Sequence, residues 1–389
     1  MSRAPTRAFR TSTTDLTTIS SDTQGARTGA VLTIDLDGLA ANYRMLAQKV
    51  APARCAAVVK ANAYGIGVEM AAPALWRAGA RTFFVALLDE AITLRQVLPE
   101  AEIGVLNGLM PGTEADYVDH RLVPVLNDLG QVQRWSDEAS RRAERLPAYI
   151  HLDTGMNRLG LGLDEQERLA DAPSVLDGLK MRAWISHLAC AEDRSHPMTK
   201  GQRNGLVDIA RRLPTAPLSL ANSAGVFHND DLHFDLARPG CALYGVNPTP
   251  GERNPTRQVV RLDARILQVR RVDTAMTVGY GADHTLTKPG KIATIAVGYA
   301  DGLLRATGGK GDVRIAGRPA PVVGRLSMDL MTLDVTDIPD EHLAVGQMAT
   351  VIGPHRTVDD IAQDADTIGY EVLTSLGARF DRRYIGTGA

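Results

Sequence analysis

The stretch Cys55-Ala56-Ala57-Val58-Val59-Lys60-Ala61-Asn62-Ala63-Tyr64-Gly65 begins as a short apolar run, ends that run on a lysine and continues into a turn of small residues. It is the first of eight apolar runs, each followed by a segment that reads as helix or helical turn. The eight runs begin near Cys55, Thr82, Ile103, Leu122, Ala148, Met181, Leu218 and Phe234. Among the intervening segments, helices are predicted over Glu90–Val97 and Gln131–Arg145.

Eight consecutive β/α units favour a closed parallel barrel. An open doubly wound sheet is compatible with the same alternation, but no G-x-G-x-x-G motif follows the first strand to support a dinucleotide site. We therefore predict an α/β protein with an N-terminal (β/α)8 TIM-like barrel.

Proline-rich residues 247–255 end this alternation, because proline continues neither a helix nor an inner strand. Longer alternating strands follow, which predicts a C-terminal mainly β domain with one late helix. The predicted organisation is a disordered tail over residues 1–30, a barrel over 31–250 and the β domain over 251–389. The predicted elements of the second domain are strands at Val259–Val272, Lys291–Val297, Val313–Ile315 and Met331–Val335, and a helix at Val358–Ala365.

The composition points to small-molecule chemistry. Among 389 residues, 43 are Lys or Arg and 45 are Asp or Glu, and this balance indicates neither a nucleic-acid partner nor a membrane surface. The three cysteines, Cys55, Cys190 and Cys241, are too few and too scattered for a disulfide framework, so a cytoplasmic location is expected. The tail has no apolar segment typical of a secretory signal. Its Arg/Ser bias would suit an organelle transit peptide, although Asp15 and Asp22 count against one. No metal site is predicted.

Reactive residues of a β/α barrel lie at the carboxyl ends of its strands. Candidates occur there after five of the predicted strands, and they are Lys60, Arg158, His187, the pair Asn222 and Ser223, and Arg238. Taken singly, each has an ordinary explanation as a solvated cation, a core histidine or a helix cap. Together they predict a pocket.

This combination suits a phosphate-bearing aldehyde cofactor, and pyridoxal 5'-phosphate is the cofactor we predict. Lys60 would form the Schiff base, and Tyr64 would supply a phenolic hydrogen bond. The loops after strands seven and eight form the usual phosphate site of such barrels. Here they contain small residues that allow backbone amides to approach an anion, in Asn222-Ser223-Ala224-Gly225 and Arg238-Pro239-Gly240-Cys241.

Eight motifs, in order along the chain, resemble those of the bacterial alanine racemases, and the resemblance covers nearly everything after the tail. In the barrel they are Val59–Gly65, Asp153–Gly160, Ala221–Gly225 and Arg238–Gly245. In the second domain they are Val278–Gly281, Gly298–Gly302, Gly324–Asp329 and Thr367–Glu371.

The resemblance implies interconversion of L- and D-alanine for peptidoglycan synthesis, with Lys60 holding the cofactor and serving as one base. Tyr280 of a partner subunit would be the second base, which implies a homodimer with shared active sites. A phenol is a poor base at neutral pH unless positive charge favours its ionised form, and His187 and Arg238 are the implied helpers. Arg238 would also contact the pyridine nitrogen and leave it unprotonated, because guanidinium keeps its proton.

Further roles follow from the same resemblance. The cofactor-binding set would include His187 and Asn222, and the residues that hold the phosphate would be Tyr64, Ser223, Gly240, Cys241 and Tyr370. Arg158 and the backbone amide of Met328 from the partner would bind the substrate carboxylate. The residues implied to line the entrance are Tyr299, Arg305, Arg325 and Asp329.

Two positions depart from the family pattern. Many relatives have a carbamylated lysine, which accepts a hydrogen bond from the arginine, seven residues before the position of Arg158. This chain has His151 there. A neutral imidazole lacks the charge of a carbamate, so His151 either orients Arg158 by one hydrogen bond or is a plain strand-end residue. The second departure is Ile66, where a histidine is frequent, and we expect it to matter little.

Three other functions remain open from the sequence. One is a racemase of broader specificity, and another is a barrel-type pyridoxal phosphate amino-acid decarboxylase, which would require a Gly-rich phosphate loop and a cysteine near the second-domain site. Gly308-Gly309 and Ser327 are the nearest candidates. The non-enzymatic alternative is a pyridoxal phosphate carrier, which would have no need of Tyr280 and Met328.

Overall fold

The computed structural model describes residues 27–388. Of the tail expected over residues 1–30, residues 1–26 lie outside this part. The first strand, β1 (Ala30–Asp35), leads directly into helix α1 (Leu36–Val50), which the Asp35 side chain caps by accepting a hydrogen bond from Gly38 N at 2.9 Å. Leu39, Tyr43 and Leu46 recur at helical spacing along α1 and are buried against the barrel.

The predicted (β/α)8 barrel with a C-terminal mainly β domain is confirmed. Seven parallel strands follow one another in chain order, and a further pair, β2 and β10, adjoins them. The strands are β2 (Arg54–Cys55), β3 (Ala57–Val58), β4 (Thr82–Val85), β5 (Glu102–Val105), β6 (Val123–Leu126), β7 (Leu146–His151), β8 (Leu179–Ile185), β9 (Leu218–Ser219) and β10 (Leu236–Ala237).

Backbone hydrogen bonds join the first and last strands of the barrel. Ala56 N donates to Ala237 O at 2.9 Å and Val58 N to Pro239 O at 3.1 Å, while Arg238 N donates to Ala221 O at 2.9 Å. These bonds place the segments after β3, β9 and β10 side by side. Every residue of β4 and β6 is buried, as expected for strands that are covered on both faces.

Helices pack around this sheet and present their apolar faces to it. They are α2 (Val68–Arg77), α3 (Leu88–Val97), α4 (Glu114–Asp119), α5 (Leu129–Arg142), α6 (Leu163–Asp171), α7 (Pro197–Ala210) and α8 (Ser223–His228). Within residues 27–388, none of the helices has the length and apolar character needed to cross a membrane.

The second domain is built on one long strand, β11 (Val260–Val272), in which buried residues alternate with exposed or partly buried ones over its first half. The remaining strands are β12 (Thr277–Val278), β13 (His284–Thr285), β14 (Gly290–Ile295), β15 (Asp312–Ile315), β16 (Arg318–Pro321), β17 (Met331–Asp334), β18 (Met348–Ile352) and β19 (Asp381–Ile385). Two late helices are present, α9 (Val358–Asp364) and α10 (Gly369–Ser375), so the expectation of one late helix was wrong.

The two domains are interlocked through β1, a strand that was not predicted. This strand precedes the barrel, yet it lies in the sheet of the second domain, antiparallel to β11 and parallel to β19. Leu32, at its centre, is fully buried in the hydrophobic core that runs through both domains. The beginning and the end of the described chain therefore meet in one sheet.

We expect Leu32→Ala to destabilise the protein by about 2–5 kcal/mol, because it removes a fully buried side chain at the centre of this sheet. The midpoint of urea unfolding measures the effect. Leu163→Ala is the matched control, since Leu163 is 76% exposed, and it should change stability by less than about 0.5 kcal/mol. Equal midpoints for the two variants would contradict the central role of β1.

Candidate active site

A cavity of about 700 Å³ opens at the carboxyl ends of the barrel strands. The structure brings ten of the predicted site residues to its lining, and these are Lys60, Tyr64, Arg158, His187, Asn222, Ser223, Arg238, Gly240, Cys241 and Tyr370. Tyr370 comes from α10 in the second domain, so both domains of one chain contribute to the cavity.

Lys60 lies two residues beyond β3 and begins a turn of unusual handedness. The four residues after it, Ala61–Tyr64, all have φ between +53° and +55°, a conformation that costs about 1–2 kcal/mol for each non-glycine residue. Burial is the main factor that lowers the pKa of the Lys60 amine, and the positive charge of Arg158 lowers it further, while Glu90 opposes both. Protonation of the Lys60 amine is thus less favourable in this site than in a solvent-exposed lysine.

Tyr64 is fixed between other aromatic rings. Its ring stacks on Tyr244 at a centroid distance of 4.5 Å and meets Tyr370 edge-on at 6.1 Å. Gly240 lies against the Tyr64 hydroxyl so closely that a Cβ at position 240 would collide with it and approach Cζ to 3.0 Å. Only glycine permits this contact, which joins the loop after β10 to the turn after Lys60.

The loops after β9 and β10 are tied together by one hydroxyl. Ser223 Oγ accepts hydrogen bonds from Gly240 N at 2.9 Å and Ala242 N at 3.2 Å, and the Asn222 side chain accepts from Gly225 N at 2.9 Å. Cys241 lies between them and is buried, which raises the pKa of its thiol to about 11, so it is a neutral group at physiological pH. Backbone amides and hydroxyls are therefore concentrated where the sequence predicts a phosphate site.

Arg238 is a buried cation with neutral partners. Its guanidinium donates to Ser219 Oγ and to the Ser186 carbonyl oxygen, the latter at 2.6 Å, and its residue is only 5% exposed. Burial lowers its pKa to about 10, so it keeps its charge at neutral pH. No carboxylate within residues 27–388 forms an ion pair with Arg238, which leaves its charge available to an acceptor in the cavity.

Two histidines line the cavity, and both are neutral. Burial lowers the pKa of His187 to about 3 and that of His151 to about 4, and the field of Arg238 acts in the same direction on both. His187 therefore contributes no positive charge at neutral pH. The positive field of the cavity comes from Arg158 and Arg238, and from Lys60 while it is protonated.

His151 is hydrogen-bonded to an asparagine. Its Nδ1 lies 2.9 Å from Asn127 Oδ1, and the Asn127 amide donates to Leu106 O and Val125 O, which turns Oδ1 toward the ring. Because that oxygen can only accept, His151 donates from Nδ1, and its Nε2 is the unprotonated nitrogen. Within the described chain His151 makes no hydrogen bond to Arg158.

Arg158 is exposed at the rim of the cavity, on a tightly held loop. The Asp153 carboxylate accepts hydrogen bonds from the backbone amides of Gly155, Met156 and Asn157, each at 2.9 Å. Gly160 then packs on the face of His151, where a Cβ would lie 3.0 Å from the ring. These contacts hold the backbone of the loop, while the Arg158 side chain is exposed and accessible to a ligand.

Tyr280 and Met328 do not line this cavity. They are 70% and 54% exposed on the surface of the second domain, together with Tyr299 at 39%. Of the other residues expected at an entrance, Arg325 pairs with Asp283, and Asp329 pairs with Arg379 at 2.8 Å. Arg305 lies in a short 3-10 turn of the same domain.

Several residues that support the cavity were not predicted from the sequence. Glu90 bonds the turn after Lys60, Asn127 bonds His151, and Ser219 bonds Arg238. Each partner comes from a different β/α unit, so no local spacing connects the pairs. Ser219 ends β9 and Asn127 directly follows β6, so position at a strand end is the signal that could have suggested these two residues.

The chain matches two family models. Residues 34–248 match "Alanine racemase, N-terminal domain" and residues 259–384 match "Alanine racemase, C-terminal domain". The alanine racemase of Rhodospirillum rubrum is 48% identical over 362 residues, covering 92% of this chain and 97% of that protein. The alanine racemase of Methylobacterium sp. (strain 4-46) is 50% identical over 357 residues, covering 92% and 98%.

Solved structures agree. The alanine racemase of Bartonella henselae, whose crystal structure contains covalently bound pyridoxal phosphate, is 42% identical and superposes with a TM-score of 0.88 over 92% of this chain and 99% of that chain. The biosynthetic alanine racemase of Pseudomonas aeruginosa is 34% identical, with a TM-score of 0.84 over 92% and 100%. Both family models, the identities and the shared fold lead to one conclusion: the chain belongs to the alanine racemase family.

Proposed function

We propose that this protein is an isomerase, an alanine racemase that uses pyridoxal 5'-phosphate to interconvert L- and D-alanine and so provides D-alanine for peptidoglycan. The observation that carries the proposal is one cavity lined by a lysine of lowered pKa, by a buried arginine that pairs with no described carboxylate, and by a hydroxyl-rich pair of loops. Family membership and the strand-end position of these groups support the same reaction. The three cysteines are free, which suits a reducing cytoplasm.

The residues present fit the cofactor. Lys60 would bind its aldehyde, and Arg238 would donate to its pyridine nitrogen in addition to its bonds to Ser219 and Ser186. Tyr64, Ser223, Tyr370 and the amides near Cys241 would hold the phosphate, with Asn222 beside them and His187 at the wall of the cavity. Bound pyridoxal phosphate withdraws electrons from the substrate and so acidifies its Cα–H.

Racemisation needs a base on each face of the substrate Cα. Lys60 would remove or return the proton on one face. Three other groups in the cavity are poor candidates for the opposite face, because burial raises the pKa of Tyr64 and Tyr370 and makes His187 a very weak base. We assign the base on the opposite face to Tyr280 of a partner subunit, as the family resemblance implies, and the exposure of Tyr280 permits this assignment.

Arg158 would bind the substrate carboxylate, with help from the backbone amide of Met328 of the same partner. This arrangement makes the active form a homodimer with two shared sites. Gly308-Gly309 and Ser327, which a decarboxylase would use, lie in the second domain and do not line the cavity of this chain.

Incubation of the purified protein with pyridoxal phosphate and L-alanine in deuterated water should remove the Cα proton signal and produce D-alanine. Proton NMR followed by chiral analysis of the same sample detects both changes. A parallel mixture of L-amino acids is the control for substrate range. Amine products would indicate a decarboxylase, and an unchanged mixture would indicate a carrier.

Lys60→Ala and Tyr280→Phe should each lower kcat by about 10²–10⁴-fold, because each removes one of the two proposed bases. Mixing the two variants after reversible dissociation should restore activity to about one quarter of wild type, since half of the dimers are mixed and each has one intact site. No recovery after exchange of subunits would mean that one chain supplies both residues. Each variant taken alone through the same dissociation and reassociation is the control.

The cofactor-free protein should lose stability as the pH falls from about 6.5 to about 4. The folded-state pKa values of His187 and His151, about 3 and about 4, lie below the ordinary histidine value of about 6.5, so the unfolded chain binds more protons in this window. Urea unfolding at a series of pH values measures the slope. Converting both residues to glutamine should flatten it, whereas the exposed control His355→Gln should leave it unchanged.

A further inference from the structure

The left-handed turn that carries Lys60 needs an external support. Ala61, Asn62 and Ala63 have φ values of +54°, +53° and +55°, and no glycine relieves the strain before Gly65. Such a conformation persists only where the surrounding structure over-determines it. The groups that bond the backbone of the turn therefore decide where the lysine amine points.

Glu90 is the side chain that reaches this turn from the barrel. Its Oε1 accepts a hydrogen bond from Ala61 N, the amide directly after Lys60, at 2.6 Å. Its Oε2 accepts from Ala86 N at 2.8 Å and from Leu87 N at 3.1 Å. One carboxylate thus ties the turn after β3 to the end of the neighbouring strand β4, across 29 positions of sequence.

Charge gives Glu90 a second effect on the lysine. The cavity around Lys60 is lined by the cations Arg158 and Arg238, by the neutral imidazoles of His151 and His187, and by the carboxylates of Glu192 and Glu371. Against burial and Arg158, which lower the pKa of Lys60, Glu90 acts in the opposite direction. The negative charge of Glu90 therefore opposes the field of Arg158 at the Lys60 amine.

An ordinary helix cap explains half of this arrangement. Glu90 is the third residue of α3, and its bond to Leu87 N forms a capping box. That motif uses Oε2 alone and leaves the short bond from Oε1 to the lysine turn unexplained. We propose that Glu90 is a positioning residue for Lys60, which fixes the left-handed turn beneath the lysine and supplies the negative charge that acts on its amine.

The chain contains a matched control in Glu165. It is the third residue of α6, its Oε2 accepts from Gly162 N at 3.3 Å, and its Oε1 accepts from Leu129 N of another β/α unit at 3.0 Å. Glu165 has the same capping and bridging geometry as Glu90, but its bridge does not lead to the lysine. Glu165→Gln therefore reproduces the structural cost of Glu90→Gln without the effect on Lys60.

The test measures attachment of pyridoxal phosphate to Lys60, and it rests on the cofactor role given under the proposed function. Cofactor-free full-length protein is mixed with pyridoxal phosphate between pH 6 and pH 10, borohydride fixes the adduct at timed intervals, and mass spectrometry quantifies the peptide that contains Lys60. The rate rises with pH as the amine loses its proton and then reaches a plateau. The pH at the midpoint of this rise reports the charge environment of the Lys60 amine. The plateau rate reports how well the neutral amine is positioned.

For Glu90→Gln we expect the midpoint to shift to lower pH, because loss of a negative charge favours the neutral amine. The plateau should fall by about tenfold, because the amine is misaligned. Glu165→Gln should match wild type in both quantities. Glu90→Asp keeps the negative charge on a shorter side chain, so it should lower the plateau rate and leave the midpoint unchanged. This variant replaces Glu90→Gln in the test if Glu90→Gln does not fold.

A plateau in Glu90→Gln equal to that of Glu165→Gln would overturn the positioning role, whatever the midpoint does. An unmoved midpoint would overturn the electrostatic role. Absence of any adduct at Lys60 in the wild-type protein is a different result, since it would overturn the proposed function and this inference together.

Discussion

Four consecutive left-handed residues after Lys60 are the constraint around which the site is built. At about 1–2 kcal/mol each, they would relax unless several elements held them. The barrel holds them through Glu90, and the C-terminal strand β19 holds the following residues, where Arg382 donates to Gly65 O at 2.6 Å and Tyr384 to Ile66 O at 2.8 Å. The pairing of β1 with β19 thus connects the second domain to the position of the lysine.

The cavity contains one buried cation, Arg238, that forms no ion pair with a carboxylate of residues 27–388. Arg238 is buried among neutral acceptors, and burial keeps His187 and His151 uncharged rather than adding to the repulsion. Burial of an unpaired cation reduces the stability of the empty protein. A ligand that offers Arg238 a further acceptor would recover part of this free energy, so the cost of burying the cation favours binding of such a ligand.

Regular features of the fold could be predicted from sequence, while remote pairings could not. The eight apolar runs begin within two residues of the observed strands, because a strand that is buried on both faces must be apolar throughout. Strand β1 was missed because it pairs only with β11 and β19, more than 200 residues away. The second late helix, α10, has seven residues and no side-chain cap, so its sequence carries no strong helix signal.

The same distinction holds within the site. Residues at strand ends, such as Arg238, were predicted because the barrel brings all strand ends to one rim. Glu90 was not predicted, because its position in the helix indicates only a helix cap. Its bond to Ala61 depends on how two neighbouring β/α units pack. The spacing of residues in the sequence predicts the helix or strand to which a residue belongs. Its hydrogen-bond partner in another β/α unit depends on strand register and on the length of the side chain.

The second domain presents Tyr280 and Met328 as parts of one fixed surface. Gly298 allows the Met328 loop to approach so closely that a Cβ would collide with the carbonyl oxygens of Ser327 and Met328, and Ala300 N donates to Met328 O at 2.9 Å. Arg325, in the same loop, pairs with Asp283 beside the Tyr280 turn. Exposed ion pairs contribute little stability, so the backbone contacts are what fix these loops. Docking of this surface on a partner's cavity would therefore deliver the proposed base and the proposed carboxylate ligand together.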